Sequence, residues 1–226
     1  MALRGVAGQV NTTTASTCVI NVAGISIQAG DVVLLVMLCG GGTTSTFTCP
    51  GFSAATGAIQ GNGGATFQVL MKTAGASEPS TYTVSSTITD FISVHARVYS
   101  GRSGSATTQA AIAFNASASP FTFASQTFAP AANDDVVFLG AIPAVGNLGT
   151  VAYTPGTGFA NGNLYTSAAS SFTCGMLGSD YVNNPGGSAG FLGGSYTYTT
   201  GSGAAMGYFI SLAVAASNVL MPMQMN

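Results

Sequence analysis

The run Val32-Val33-Leu34-Leu35-Val36-Met37-Leu38 is apolar at every position. An extended chain sends alternate side chains to opposite faces, so both faces of this segment must be covered. It is far shorter than the ~20 residues a membrane-spanning helix requires. The run therefore reads as a central β-strand buried on both sides. Elsewhere the pattern is a strict alternation, as in Thr81-Tyr82-Thr83-Val84-Ser85 and Ser195-Tyr196-Thr197-Tyr198-Thr199, where only one face is expected to be buried.

Working outward, short stretches rich in Val, Ile, Thr, Tyr and Phe recur between clusters of Gly, Pro, Asn and Ser, and few windows carry a helical period. That is the pattern of an all-β sandwich or barrel. Strands are predicted at Thr17–Val22, Asp31–Cys39, Thr66–Lys72, Ser80–Ser86 and Phe91–Ser100. A second set is predicted at Phe121–Phe128, Asp135–Ile142, Ser171–Leu177, Gly194–Thr200 and Met206–Ala215. The two sets match in order, with an internal repeat of roughly ninety residues. Ala29-Gly30-Asp31-Val32-Val33-Leu34-Leu35 answers to Ala132-Asn133-Asp134-Asp135-Val136-Val137-Phe138-Leu139, and Ser80-Thr81-Tyr82-Thr83 to Gly194-Ser195-Tyr196-Thr197. Two half-units, about 15–100 and 120–216, are expected to pair into one antiparallel, jelly-roll-like β-sandwich; tandem small domains are the alternative. Residues 100–119 read as the connection, 1–14 as an N-terminal arm and 217–226 as a Met-rich C-terminal arm.

Composition limits what such a fold can do. Of 226 residues only 4% are charged, with four Lys+Arg against six Asp+Glu, while mean hydropathy is +0.45. Four cations cannot neutralise a run of phosphates, so nucleic acid and anionic membrane surfaces are poor partners. A surface of Ser, Thr, Asn, Gly and Ala has little colloidal repulsion and suits lateral packing into an assembly. The N-terminus lacks the apolar core of a secretory signal, which leads us to expect synthesis in a cytoplasm. Cys18, Cys39, Cys49 and Cys174 show no metal-ligand spacing, and His95 is the single histidine. Free buried thiols are expected and a zinc site is not.

Four motifs follow one another in the first half: Gly30-Asp31-Val32-Val33-Leu34-Leu35; the turn Pro50-Gly51-Phe52; Lys72-Thr73-Ala74 with Glu78-Pro79-Ser80-Thr81-Tyr82; and Ala96-Arg97-Val98-Tyr99-Ser100-Gly101. In this order, and with a degenerate second copy, they resemble a two-repeat β-sandwich family found in bacteriophage virion proteins. Phe52 stands where that family usually carries Trp. The resemblance implies a structural module of heads, tails or fibres, without catalysis or cofactor.

The pool of catalytic side chains is small. Asp31 and Asp134 sit at equivalent strand starts, where a carboxylate accepts turn N–H groups. Asp134-Asp135 lacks the ladder of oxygen ligands that calcium requires. A carboxylate pair drawn from Glu78, Asp90 and Asp180 would have to converge in space, and no serine lies in a Gly-x-Ser-x-Gly elbow. Within Ser93-Val94-His95-Ala96-Arg97-Val98-Tyr99, period two places Ser93, His95, Arg97 and Tyr99 on one polar face; His95, Arg97 and Tyr99 form a candidate contact surface. Val219, Leu220, Met221, Met223 and Met225 of the tail are candidate assembly contacts, because adaptable Met side chains fill irregular grooves. The expected role is a capsid decoration or cement protein on the virion, bound to itself and to other virion proteins such as the major capsid protein. Two alternatives are a carbohydrate-binding fibre module, with rings from Tyr153–Tyr165 and Tyr181–Leu192, and an extracellular filament subunit.

Overall fold

The computed structural model describes residues 2–11, 13–40, 42–61, 64–116, 121–145, 151–169, 172–181, 189–191, 193–198 and 202–215. They are all-β and antiparallel, and no helix occurs among them. The first half contains β1 (Ala2–Val10), β2 (Ala15–Asn21), β3 (Val32–Cys39), β4 (Phe47–Thr48), β5 (Ser53–Ala54), β6 (Ile59–Gln60), β7 (Thr66–Thr73), β8 (Thr81–Asp90) and β9 (Ile92–Ser100). The second contains β10 (Arg102–Ala116), β11 (Phe121–Thr122), β12 (Gln126–Phe128), β13 (Asp135–Val145), β14 (Val151–Thr154), β15 (Ala160–Ala169), β16 (Phe172–Tyr181), β17 (Ala189–Phe191), β18 (Ser195–Tyr198) and β19 (Ser202–Val214). Each of the ten predicted segments contains a strand.

In the first half a large sheet runs β1-β9-β3-β7-β5, with β6 also on β7, and a small sheet runs β2-β8-β4. The second half has a large sheet β10-β19-β13-β16-β15 and a small sheet β11-β18-β14, with β12 and β17 as a separate pair. The strand order is thus the same in both halves. The corresponding strands β3 and β13 begin at Val32 and Asp135, a spacing of 103 residues (135 − 32), wider than the repeat period read from the sequence.

The double-sided burial of β3 shows how these layers stack. Val33, Leu35, Met37 and Cys39 pack with Cys18, Ile20 and Val22 of the β2 segment and with Tyr82 and Val84 of β8. Val32, Leu34, Val36 and Leu38 point the other way and pack with Val137, Leu139, Met176, Ile210 and Leu212 of the second half. A third core, around Phe123, Phe138, Tyr196 and Phe209, lies within the second half. The layers therefore run small sheet, large sheet, large sheet, small sheet. The two halves pair face to face: the two large sheets meet at a central seam, and each is covered on its outer side by the small sheet of its own half. The physical reason is that β3 and β13 are apolar on both faces and each needs two covering layers.

Two expected connections are strands. Residues 2–10, read as part of an arm, form the edge strand β1, paired with β9 from Ala2 opposite Ser100 to Val10 opposite Ser93. Its small residues hid it, and they are needed: a side chain at Gly8 would run into the Tyr165 ring. Residues 102–116, read as a connection, form β10, the edge of the other large sheet, paired with β19. The Met-rich segment, including Val219, Leu220, Met221, Met223 and Met225, lies outside the described residues.

Candidate functional site

Along β9, Ser93, His95, Arg97 and Tyr99 do share one face, but that face looks into the seam between the large sheets. His95 is 1% exposed and Arg97 and Tyr99 are fully buried. The candidate contact surface is therefore interior, a correction with a simple cause: β9 lies between β1 and β3, and β15 and β16 cover its polar face. Arg97 Nη2 lies 2.9 Å from Asp180 Oδ1 on β16, and its Nε donates to the Tyr99 hydroxyl at 2.6 Å. Tyr99 in turn donates to Asp180 Oδ1 at 2.7 Å. Arg97 Nη1 donates to the Asn163 side chain, and Asn161 Nδ2 to Asp180 Oδ2 at 3.1 Å. Space for the guanidinium comes from Gly178, where a Cβ would stand 2.7 Å from Nη1.

Electrostatics keep this network charged at its centre. Burial alone would lower the Arg97 pKa, but Tyr99 and Asp180 beside it raise the value overall. Burial pushes the Tyr99 phenol well above its usual range. His95 responds oppositely: burial first, then the Arg97 charge, lower its pKa to about 3. Its Nδ1 has no hydrogen-bond partner among the described residues, and its ring stacks on Tyr165 at 6.2 Å.

Because folding depresses the His95 pKa from 6.5, the folded state binds fewer protons than the unfolded chain between pH 6.5 and about 3. Its contribution is complete above 6.5 and declines as pH falls through that window. His95→Phe keeps a stacking ring and removes the titration. Urea midpoints measured from neutral to acid pH should fall less steeply for this variant than for the parent; equal slopes would refute the assignment.

Across the same seam, the opposite flank is apolar. Met206, Tyr208, Ile210 and Leu212 of β19 pack in one core with Phe67, Val69 and Met71 of β7. Tyr208 stacks on Phe67 at 6.0 Å and donates to the Gly57 carbonyl at 2.9 Å. One flank supplies apolar burial and the other demands a single alignment, since Arg97 and Asp180 meet in only one register.

The sequence motifs of the first half also converge. Lys72 Nζ is 2.8 Å from Glu78 Oε2 and lies over the Phe52 and Tyr82 rings at 5.3 and 5.4 Å. Tyr82 donates to Glu78 Oε2 and the Gly75 N–H to Oε1, each at 2.7 Å. Burial would raise the Glu78 pKa, yet the hydrogen bonds from Lys72, Tyr82 and Gly75 lower it overall. Pro50-Gly51 turns the chain, with Gly51 at φ +79° and the Phe52 N–H bonded to the Cys49 carbonyl at 3.0 Å. The motifs thus build a brace around one lysine.

The remaining acids are held separately. Asp31 accepts the Gln28 N–H at 2.8 Å, as predicted for a strand start, and pairs with Arg4 Nε at 2.6 Å. Asp135 pairs with Arg102 Nε at 2.7 Å, and Asp134 accepts the Ser211 hydroxyl at 2.6 Å. Among the described residues no three His, Cys, Asp or Glu side chains gather as a metal site. Rings proposed for sugar stacking face inward: Tyr153 donates to the Gly193 carbonyl at 2.7 Å, Tyr165 stacks on His95, and Tyr181 packs edge-on against Phe159.

All four cysteines are free and buried. Burial raises the thiols of Cys18, Cys39 and Cys49 to about 11, leaving little thiolate at neutral pH. A thiol reagent should label none of the four in native protein and all four in denaturant. Rapid native labelling of any one would contradict its burial.

The partner of Arg97 escaped sequence reading. Arg97 in a buried strand calls for a carboxylate, but Asp180 lies 83 residues away and only the stacking of the sheets selects it. No family model, curated protein or solved structure matches this chain.

Proposed function

We propose that this chain is a non-enzymatic structural subunit of a bacteriophage virion, a head decoration or cement protein that binds copies of itself and the underlying capsid. One observation carries the reading: all four cations of the chain are spent on internal ion pairs, Arg4 with Asp31, Lys72 with Glu78, Arg97 with Asp180 and Arg102 with Asp135. The charged chemistry serves the fold, leaving a surface whose Ser, Thr, Gly and Ala groups desolvate at low cost when packed against a neighbour. The ordered resemblance of the four motifs supplies the virion context. The output of such a subunit is shell stability through buried interface area.

Particle binding tests this reading. Purified protein is mixed with capsids from its source that lack it, and co-sedimentation is measured alongside light scattering over a concentration series. Saturable binding to particles, with self-association at high concentration, is expected. A protein that stays monomeric and never co-sediments would sink the proposal. Glycan binding is not favoured, because Tyr153, Tyr165 and Tyr181 are engaged within the fold.

A further inference from the structure

The two halves are joined by a single residue. β9 ends at Ser100 and β10 begins at Arg102, in different large sheets, so Gly101 alone makes the reversal. Gly101 has φ +70°, is exposed, and a Cβ there would meet nothing within 4 Å. Each half has a core of its own on the side away from the seam. The ion pairs flanking the hinge also stay within their halves, Arg4 with Asp31 and Arg102 with Asp135. The seam, by contrast, is made wholly between halves: Arg97 with Asp180 and Asn163, Ser93 with Met176, and Tyr208 with the Gly57 carbonyl.

The hinge conformation separates two arrangements. With Gly101 in the left-handed region, the halves of one chain close on each other. With Gly101 extended, a one-residue link carries them apart, and each seam face must find its complement elsewhere. The complement is present on any second copy, already shaped and with the same Arg97–Asp180 register. We propose that the chain exchanges its second half, residues 102–215, with another copy by opening at Gly101, forming a twofold dimer. Such a dimer keeps every seam contact and changes only the hinge, so its population is set by concentration. Crowding of copies on a particle would favour it. The proposal gives a definite geometry to the self-association in the structural role above and rests on that reading to this extent.

Charge reversal tests it with full-length chains. Arg97→Asp places two buried carboxylates together at the closed seam, and Asp180→Arg places two guanidinium groups there. When the two variants are unfolded, mixed and refolded together, exchange gives one native seam and one reversed seam. A 1:1 heterodimer at twice the monomer mass in light scattering is expected, with neither variant soluble and closed alone. A second variant does not touch the seam. Gly101→Val disfavours positive φ in both hinges of a closed pair and should raise the association constant of a discrete dimer about tenfold or more over the parent chain. Either signal supports exchange, and absence of both overturns it. Wild-type binding to particles without either signal would leave the structural role standing and remove the exchange; heterodimers from a chain that never binds particles would do the reverse.

Discussion

Asp180→Ala is expected to cost about 3–5 kcal/mol of folding stability, because it leaves the Arg97 guanidinium buried without its counter-charge. Both side chains are fully buried in the seam. The loss is not confined to one bond, since Tyr99 and Asn161 also donate to the same carboxylate. Gly178 lies directly against the guanidinium, where an added Cβ would stand 2.7 Å from Nη1. The measurement is the urea midpoint at neutral pH, with an unchanged m-value showing that two-state behaviour holds. A loss below about 1 kcal/mol, in the range of exposed pairs, would mean the seam is wet. The triple variant Arg97→Met, Tyr99→Phe and Asp180→Leu makes the contrast: removing both charges together with the phenol hydroxyl they hold should restore most of the stability, because apolar replacement of a buried pair is commonly neutral or better.

Phe138→Ala is expected to cost a similar 3–5 kcal/mol, by a different route. Its ring sits in the core of the second half, 4.8 Å from Phe123 and 4.9 Å from Phe209. Three walls of its socket are glycines. A Cβ at Gly193 would stand 2.7 Å from the ring, and those at Gly207 and Gly140 at 3.0 and 3.2 Å. Cavities close when neighbouring side chains swing in, and glycine has none to swing. The cavity should therefore persist, placing the cost toward the upper end of the range. Phe138→Leu, which retains most of the volume, should recover more than half of the loss. Equal stability of the Ala and Leu variants would show that the socket collapses.

The reach of sequence reading differed by region for physical reasons. β3, β8 and β18 were legible because period-two alternation, or its absence, is a local property of a strand. β1 and β10 were not legible. Gly5, Ala7 and Gly8 carry almost no side chain to pattern, and what makes β1 a strand is the open edge of β9 beside it. The shared face of His95, Arg97 and Tyr99 followed from spacing, whereas its burial did not, because a polar strand face is solvated or paired according to what covers it. The clustering of Phe52, Lys72, Glu78 and Tyr82 was foreshadowed only as an order of motifs; their contacts depend on how the turn at Gly51 meets β7 and β8.

Alternation and composition alone specify an antiparallel all-β chain whose central strands are covered on both faces and which has almost no charge to offer a partner. Those properties are local or compositional, and local periodicity and composition survive without knowledge of neighbours. Packing in three dimensions sets the stacking of large sheet on large sheet. It also decided that Arg97 is interior rather than presented, that Asp180 is the carboxylate it meets, and that a single glycine joins the two sheets. Each of these is a choice among several complements that the chain offers equally well. Such choices are settled by which apolar faces bury the most area together and which buried charges can then be paired.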